Sequence, residues 1–193
     1  MAKLLDRISK DLGKTGLSLR TSESRNWLYQ NVKTLGSVNR NDIVKDKERK
    51  AKTILPGKMY FFFYDPKLKD SLPFYDRFPL VIPVEKYADG FLGLNLHYLP
   101  VKYRVVLLDK LYDLTNNDKF DETTKLRMSY DLLSGSSRYK EFQPCLKRYL
   151  SSHIRSNITV IESDKWETTI FLPVEQFTKK TASAVQKMSV ESL

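Results

Sequence analysis

The stretch on which the fold turns is Gly90-Phe91-Leu92-Gly93-Leu94-Asn95-Leu96-His97-Tyr98-Leu99-Pro100. Its residues alternate, the period-two pattern of a strand with one face on a core. Asp89-Gly90 in front of it is a hairpin-type turn. Pro100, which cannot donate to a ladder, ends it. If Leu92, Leu94, Leu96 and Tyr98 face the core, then Gly93, Asn95, His97 and Leu99 face the other side. There they meet a helix of the same chain or the surface of a neighbour. Gly93 leaves room on that face for another backbone to come close.

Working outward, residues 58–64 (KMYFFFY) form a strongly β-prone run after the Pro56-Gly57 break. Residues 79–84 (PLVIPV) are a second short strand, with Pro83 marking an edge or a bend. Two more strands are expected at 157–162 and 166–172 (WETTIFL), joined by Ser163-Asp164. In the latter, Trp166, Thr168, Ile170 and Leu172 share one face. Between these groups the period changes. Val101, Val105, Leu108 and Tyr112, with Leu107, Leu111 and Leu114, predict a helix. Asp121 is a good N-cap for a second helix carrying Leu126, Tyr130 and Leu133, closed by Gly135. Pro144 suits the first turn of a third, with Leu146, Tyr149 and Leu150 inward. The expected class is α+β: a small bent antiparallel sheet or SH3-like partial barrel, braced by about three helices. In front of it runs an extended, basic, partly helical N-terminal arm. An ordinary layer of helices on one sheet face is the alternative.

Charge divides the chain the same way. The 193 residues carry a formal net charge of +10. Residues 1–55 hold 13 Lys and Arg against 6 Asp and Glu, a surplus of 7. Residues 56–177 hold 17 against 16, and residues 178–193 hold 3 against 1. All 8 prolines and 21 of the 23 aromatic residues lie in 56–177, so that segment can bury a core. The boundaries expected are therefore a basic arm at 1–55, an aromatic-rich globular domain at 56–177 and a C-terminal tail at 178–193.

The arm is not of low complexity. Leu4, Leu5, Ile8 and Leu12 fall at helical spacing. Thr21 or Ser22 can cap a second helix through Trp27, Leu28, Val32 and Leu35. Asn39 can cap a third around Ile43 and Val44. Each is too short to be stable alone, so they read as segments that fold against something else. Leu4, Leu5, Ile8, Trp27, Leu28, Val32 and Leu35 are the expected partner-binding anchors.

Many chemistries lack their signatures. No apolar run approaches the ~20 residues of a membrane span. The opening MAKLLDRISKDLG has no apolar stretch of the length a secretory signal needs, so it is not expected to be one. The single cysteine, Cys145, excludes an internal disulfide. With two distant histidines it makes no metal-ligand cluster, so no metal and no other cofactor is expected. There is no phosphate-binding glycine loop and no GxSxG elbow, so no catalytic residue and no small-molecule substrate is assigned. The carboxylates Asp65, Asp70, Asp76, Glu85 and Asp89 alternate with lysines and arginines and read as solvated loops. His97 has no second group to position it as a base.

The basic residues say more. Arg40, Lys45, Lys47, Arg49, Lys50 and Lys52 cluster at the end of the arm. Arg148 and Arg155, seven apart, belong to a second patch and could share a helix face. Such charges bind phosphates through counterion release without reading sequence. The interleaved acids of the arm equally suit docking onto protein neighbours.

The run PGKMYFFFYDPKLKDSLPFYDRFPLVIPVEKYADGFLGLNLHYLPVKYR resembles proteins encoded by large contractile-tailed, myovirus-type bacteriophages. The pieces YKEFQPCLKRYLSSHIRSN and WETTIFLPVEQF are similar to the same proteins. The group is one of virion-associated or uncharacterised proteins, and the resemblance covers about residues 56–177. It implies a virion context and no catalytic residue. Two functions are expected from it and from the charge. The first is a non-enzymatic structural or assembly component of the tail, baseplate or neck, its arm gripping other virion proteins. The alternative is a sequence-nonspecific DNA-binding protein acting at genome ends or in packaging.

Overall fold

Five strands form one antiparallel sheet in the order β4-β3-β2-β1-β5. They are β1 (Met59–Phe61), β2 (Leu80–Tyr87), β3 (Gly90–Asn95), β4 (Leu146–Leu150) and β5 (Thr159–Ile161). The structure is a computed structural model. It describes residues 2–35, 38–45, 49–115, 118–119, 121, 124, 128–129, 131–133, 135 and 140–191. The helices described over their whole length are α1 (Ala2–Lys14), α2 (Ser22–Thr34), α3 (Arg40–Val44), α4 (Val101–Thr115), α5 (Trp166–Phe171) and α6 (Ala182–Glu191), and the described residues between 124 and 135 are helical too. The class is α+β, as the hydrophobic pattern predicts. None of the described helices is long and apolar enough to cross a membrane.

Strand β3 stops sooner than alternation suggests. The Asn95 side chain accepts from the His97 N–H at 3.1 Å and turns the chain into a 3₁₀ turn, Leu96–Tyr98. That turn buries Leu96, His97 and Tyr98 together. β3 lies inside the sheet, pairing with β2 on one side and β4 on the other. Pro83 sits inside the sheet, opposite Gly93, where the β2 register shifts between Pro83 and Glu85. It therefore marks a bulge that bends the sheet, as bulges do.

The β1 run is buried on both faces. Met59 and Phe61 enter the main core with Leu80, Ile82, Leu94 and Leu96. Tyr60, Phe62 and Tyr64 alternate to the opposite face and form an aromatic cluster with Val81, Phe91 and Tyr149. Within it Tyr64 and Tyr149 meet edge to face at 4.9 Å between ring centres, and Phe91 stacks on Tyr149 at 5.2 Å.

Two expectations are corrected. Residues 166–172 are a helix, not a strand: α5 is buried from Trp166 to Ile170. A strand there would serve two faces, whereas α5 is packed by α1, α2 and α4. Conversely, Leu146–Leu150 is not an inward helical face but β4. A 3₁₀ segment, Lys140–Cys145, contains Pro144 and leads into it. In the other predicted helix, Asp121 Oδ1 accepts from Thr124 N at 2.9 Å as an N-cap does. Leu126 and Tyr130 lie outside the described residues, and Leu133 is buried.

The arm helices find their packing within the chain. Leu5, Ile8, Leu12, Leu28, Val32, Ile43 and Val44 are buried in the same core as Trp166 and Ile170. Thr21 caps α2 through a reciprocal pair with Ser24. Arg25 of α2 bonds Glu167 of α5 at 2.8 Å and pairs with Asp109 of α4. Burial contributes roughly 1.5–3 kcal/mol per aliphatic side chain.

Candidate nucleic-acid interface

Strand β4 is where the basic residues and the aromatic residues meet. Its register puts Lys147 opposite Gly93 and Arg148 opposite Leu92. Alternation then sends Lys147 and Tyr149 to the aromatic face and Arg148 to the other. The Lys147 ammonium lies over the Tyr98 ring, 4.4 Å from its centre. Burial pushes its pKa below the ordinary lysine range. Among the described residues it forms no ion pair. Arg148 stacks over Tyr87 at 4.4 Å, donates to the Tyr149 carbonyl at 2.7 Å and pairs with Asp89.

Beside β4, the loop after Tyr64 closes a cleft of about 310 Å³. Tyr64, Phe74, Tyr98, Lys147 and Tyr149 line it, and Arg148 stands at its side. Its innermost residues, Tyr64, Asp76, Tyr98 and Tyr149, are buried. Burial raises the phenol pKa of each of these tyrosines, with the Asp76 charge adding to that of Tyr98, so all three stay protonated. Lys179, in the left-handed region at φ 63°, reaches back to the loop and donates to the Leu72 carbonyl at 2.7 Å. Lys180 sits 5.8 Å from the centre of the Phe74 ring.

A buried polar network forms the floor. Asp76 is not a solvated loop residue: its Oδ1 accepts from Phe78 N at 3.0 Å and Gln176 N at 3.2 Å. Its Oδ2 meets His97 Nδ1 at 2.6 Å and accepts from Asn95 Nδ2 at 3.2 Å. Burial alone would raise the Asp76 carboxyl. The His97 ring and these hydrogen bonds outweigh it and hold the carboxyl below its ordinary range. So His97 has the second group that its sequence context lacks, 21 residues away. The pair is sealed, with side chains 0% and 1% exposed. A general base must come within ~3 Å of a substrate proton, and this one is closed to substrate. Nearby, Arg104 is fully enclosed, donating to the Leu99 carbonyl at 2.8 Å, the Ile170 carbonyl at 2.9 Å and Glu175 at 3.4 Å. Burial raises the Cys145 thiol pKa to about 12, so it is no nucleophile at neutral pH.

The sequence-predicted residues separate by the work they already do. Arg40 donates to the Val174 and Glu175 carbonyls at 2.7 and 2.9 Å, tying α3 to the chain before α6. Arg49 bridges Asp6 and Glu162. Lys45, Lys50 and Lys52 are exposed, and Lys47 lies outside the described residues. Arg155 is exposed beyond the 3₁₀ turn Ser151–His153, so it shares no helix face with Arg148 in β4. Of the apolar anchors, Leu5, Ile8, Leu28 and Val32 are inside the chain's own core, and Leu4, Trp27 and Leu35 pack against it. Of the aromatic lining, the sequence places Tyr64 in a strand and Tyr98 and Tyr149 on core-facing positions, without indicating a cleft, and Phe74 carries no local signal.

Neither a curated protein nor a solved structure matches the chain. A family described as the phage T4 terminal DNA protecting protein matches residues 6–191, which takes in the arm, the sheet and the C-terminal helix alike. On that span, the chain belongs to the family of the phage T4 terminal DNA protecting protein.

Proposed function

We propose that this chain binds the ends of phage DNA without reading their sequence, and shields them sterically without doing chemistry on them. The observation that carries the reading is the family match across residues 6–191 of a chain whose net charge is +10. Of the two functions expected above, DNA-end binding is the one the family supports. A place in the tail, baseplate or neck draws nothing from it. The apolar arm residues are engaged by the chain's own core, while Lys45, Lys50, Lys52 and Arg155 are exposed to meet phosphates.

Such binding weakens with salt, by a slope of about 0.9 in log affinity against log salt for each phosphate neutralised. A titration of linear duplex at two salt concentrations reads that slope. Deleting residues 1–55 is the wrong control, because it removes part of the core. Replacing Lys45, Lys50 and Lys52 by Gln keeps the fold and is expected to flatten the slope. Undetectable binding to linear DNA at low salt refutes the reading.

A further inference from the structure

Resting on that reading, we infer that the cleft beside β4 holds the DNA terminus itself: one terminal nucleotide, its phosphate monoester on Lys147 and its base against the aromatic rim. A chain end differs chemically from the chain interior in two ways. A terminal phosphate monoester carries a charge near −1.5 to −2, with three strong acceptor oxygens, where an interior diester carries a single charge. The last base has one face with nothing stacked on it.

The cleft answers both. Lys147 is a half-buried ammonium with no ion-pair partner among the described residues, an arrangement that costs free energy until an anion arrives. Among the described residues the one carboxylate in the lining is Asp76, and both its oxygens are taken by His97, Asn95 and two backbone N–H groups. Two phenols add donors. The Tyr64 hydroxyl accepts from Leu150 N at 3.1 Å, and the Tyr149 hydroxyl accepts from Asn95 Nδ2 at 3.1 Å. Each keeps its own proton to donate. On the rim, half-buried Phe74 offers a ring on which any base can stack, which needs no sequence.

Size selects the end. The cleft's ≈ 310 Å³ lies at the bottom of the range for small-ligand pockets, about 300–1,000 Å³. Its floor is the buried Asp76–Asn95–Tyr149 network, so a strand cannot pass through it. Arg148 beside it and Lys180 over Phe74 flank the path that the following phosphates would take.

The test is a set of affinities of the full-length protein for one duplex in four forms. These carry a 5′-phosphate, a 3′-phosphate, hydroxyl ends only, or hairpin-closed ends. Wild type is expected to prefer one phosphorylated form over the hydroxyl form by about tenfold, the scale of one charge-assisted hydrogen bond. Which phosphate wins identifies the strand end that is held. Lys147→Gln is expected to abolish that preference. Equal wild-type affinity for phosphorylated and hydroxyl ends overturns the inference, as does a Lys147→Gln protein that keeps the preference. The wild-type comparison decides the matter even if the variant fails to fold. Binding to none of the four forms at low salt removes the DNA-end reading as well.

Discussion

His97 Nδ1 lies 2.6 Å from Oδ2 of Asp76, and both side chains are closed to solvent. Removing one partner strands the other. Asp76→Ala also orphans Phe78 N and Gln176 N and takes from Asn95 Nδ2 one of its two acceptors, leaving the Tyr149 hydroxyl. Breaking a buried pair in this way costs about 3–5 kcal/mol. Urea denaturation of Asp76→Ala is expected to show that loss, and a loss below ~1 kcal/mol would mean that the network contributes nothing to the fold.

The same network sets an acid limit. In Asp76 and Glu175 burial raises the carboxyl, but the His97 ring, with Arg104 acting on Glu175, leaves both below the ordinary range. A folded pKa below the unfolded one means the unfolded chain takes up its proton first as pH falls. The stabilisation is therefore complete above about pH 4.5 and drains away through pH 4 and below. Melting temperatures across pH 3–6 check this. Asp76→Asn is expected to flatten the acid limb, and an unchanged limb contradicts the assignment.

Arg104 makes three separate hydrogen bonds to two carbonyls and a carboxylate, all from a fixed planar fork. Lysine is a point charge on a flexible stem and cannot reproduce that fork. Arg104→Lys is expected to destabilise by roughly 2 kcal/mol or more, because two carbonyls lose their donors. Calorimetry that finds the variant as stable as wild type would show that the fork is dispensable.

The two glycines of β3 are unequal. A Cβ on Gly90 would stand 1.9 Å from the Tyr149 carbonyl oxygen, so the β3–β4 backbones would have to part. A Cβ on Gly93 would stand 2.3 Å from Val81 Cγ1, a side-chain methyl. Both alanine variants overpack, which costs about 1–3 kcal/mol. Gly90→Ala is expected to be the worse, with weakened amide protection along Leu146–Leu150 in hydrogen exchange. Equal losses would show that the β3–β4 spacing is not what Gly90 protects.

How far the sequence was legible follows from the same residues. The β2–β3 hairpin is readable because Asp89-Gly90 and strict alternation are local signals. β4 and α5 are not. Leu146, Tyr149 and Leu150 satisfy helical spacing as well as they satisfy a short strand, and WETTIFL is β-branched yet buried nearly all round. In both, tertiary packing decides between two local patterns of similar strength. The exposed lysines of the arm are visible as charge. The cleft is not visible, because Lys147 reaches Tyr98 only through the β3–β4 register, and Asp76 reaches His97 only through the folded loop. The arm's dependence on the core is likewise a tertiary fact: its apolar stripes predict burial and leave open what covers them.

The most direct test of the central claim is digestion of linear duplex by an exonuclease that enters only at ends, with and without the protein, beside an endonuclease digesting a closed circle. The account predicts that the protein slows the exonuclease on linear DNA, leaves the circle as sensitive as before, and loses this protection when Lys45, Lys50 and Lys52 are replaced by Gln. Linear DNA degraded at the same rate with and without bound protein would contradict it.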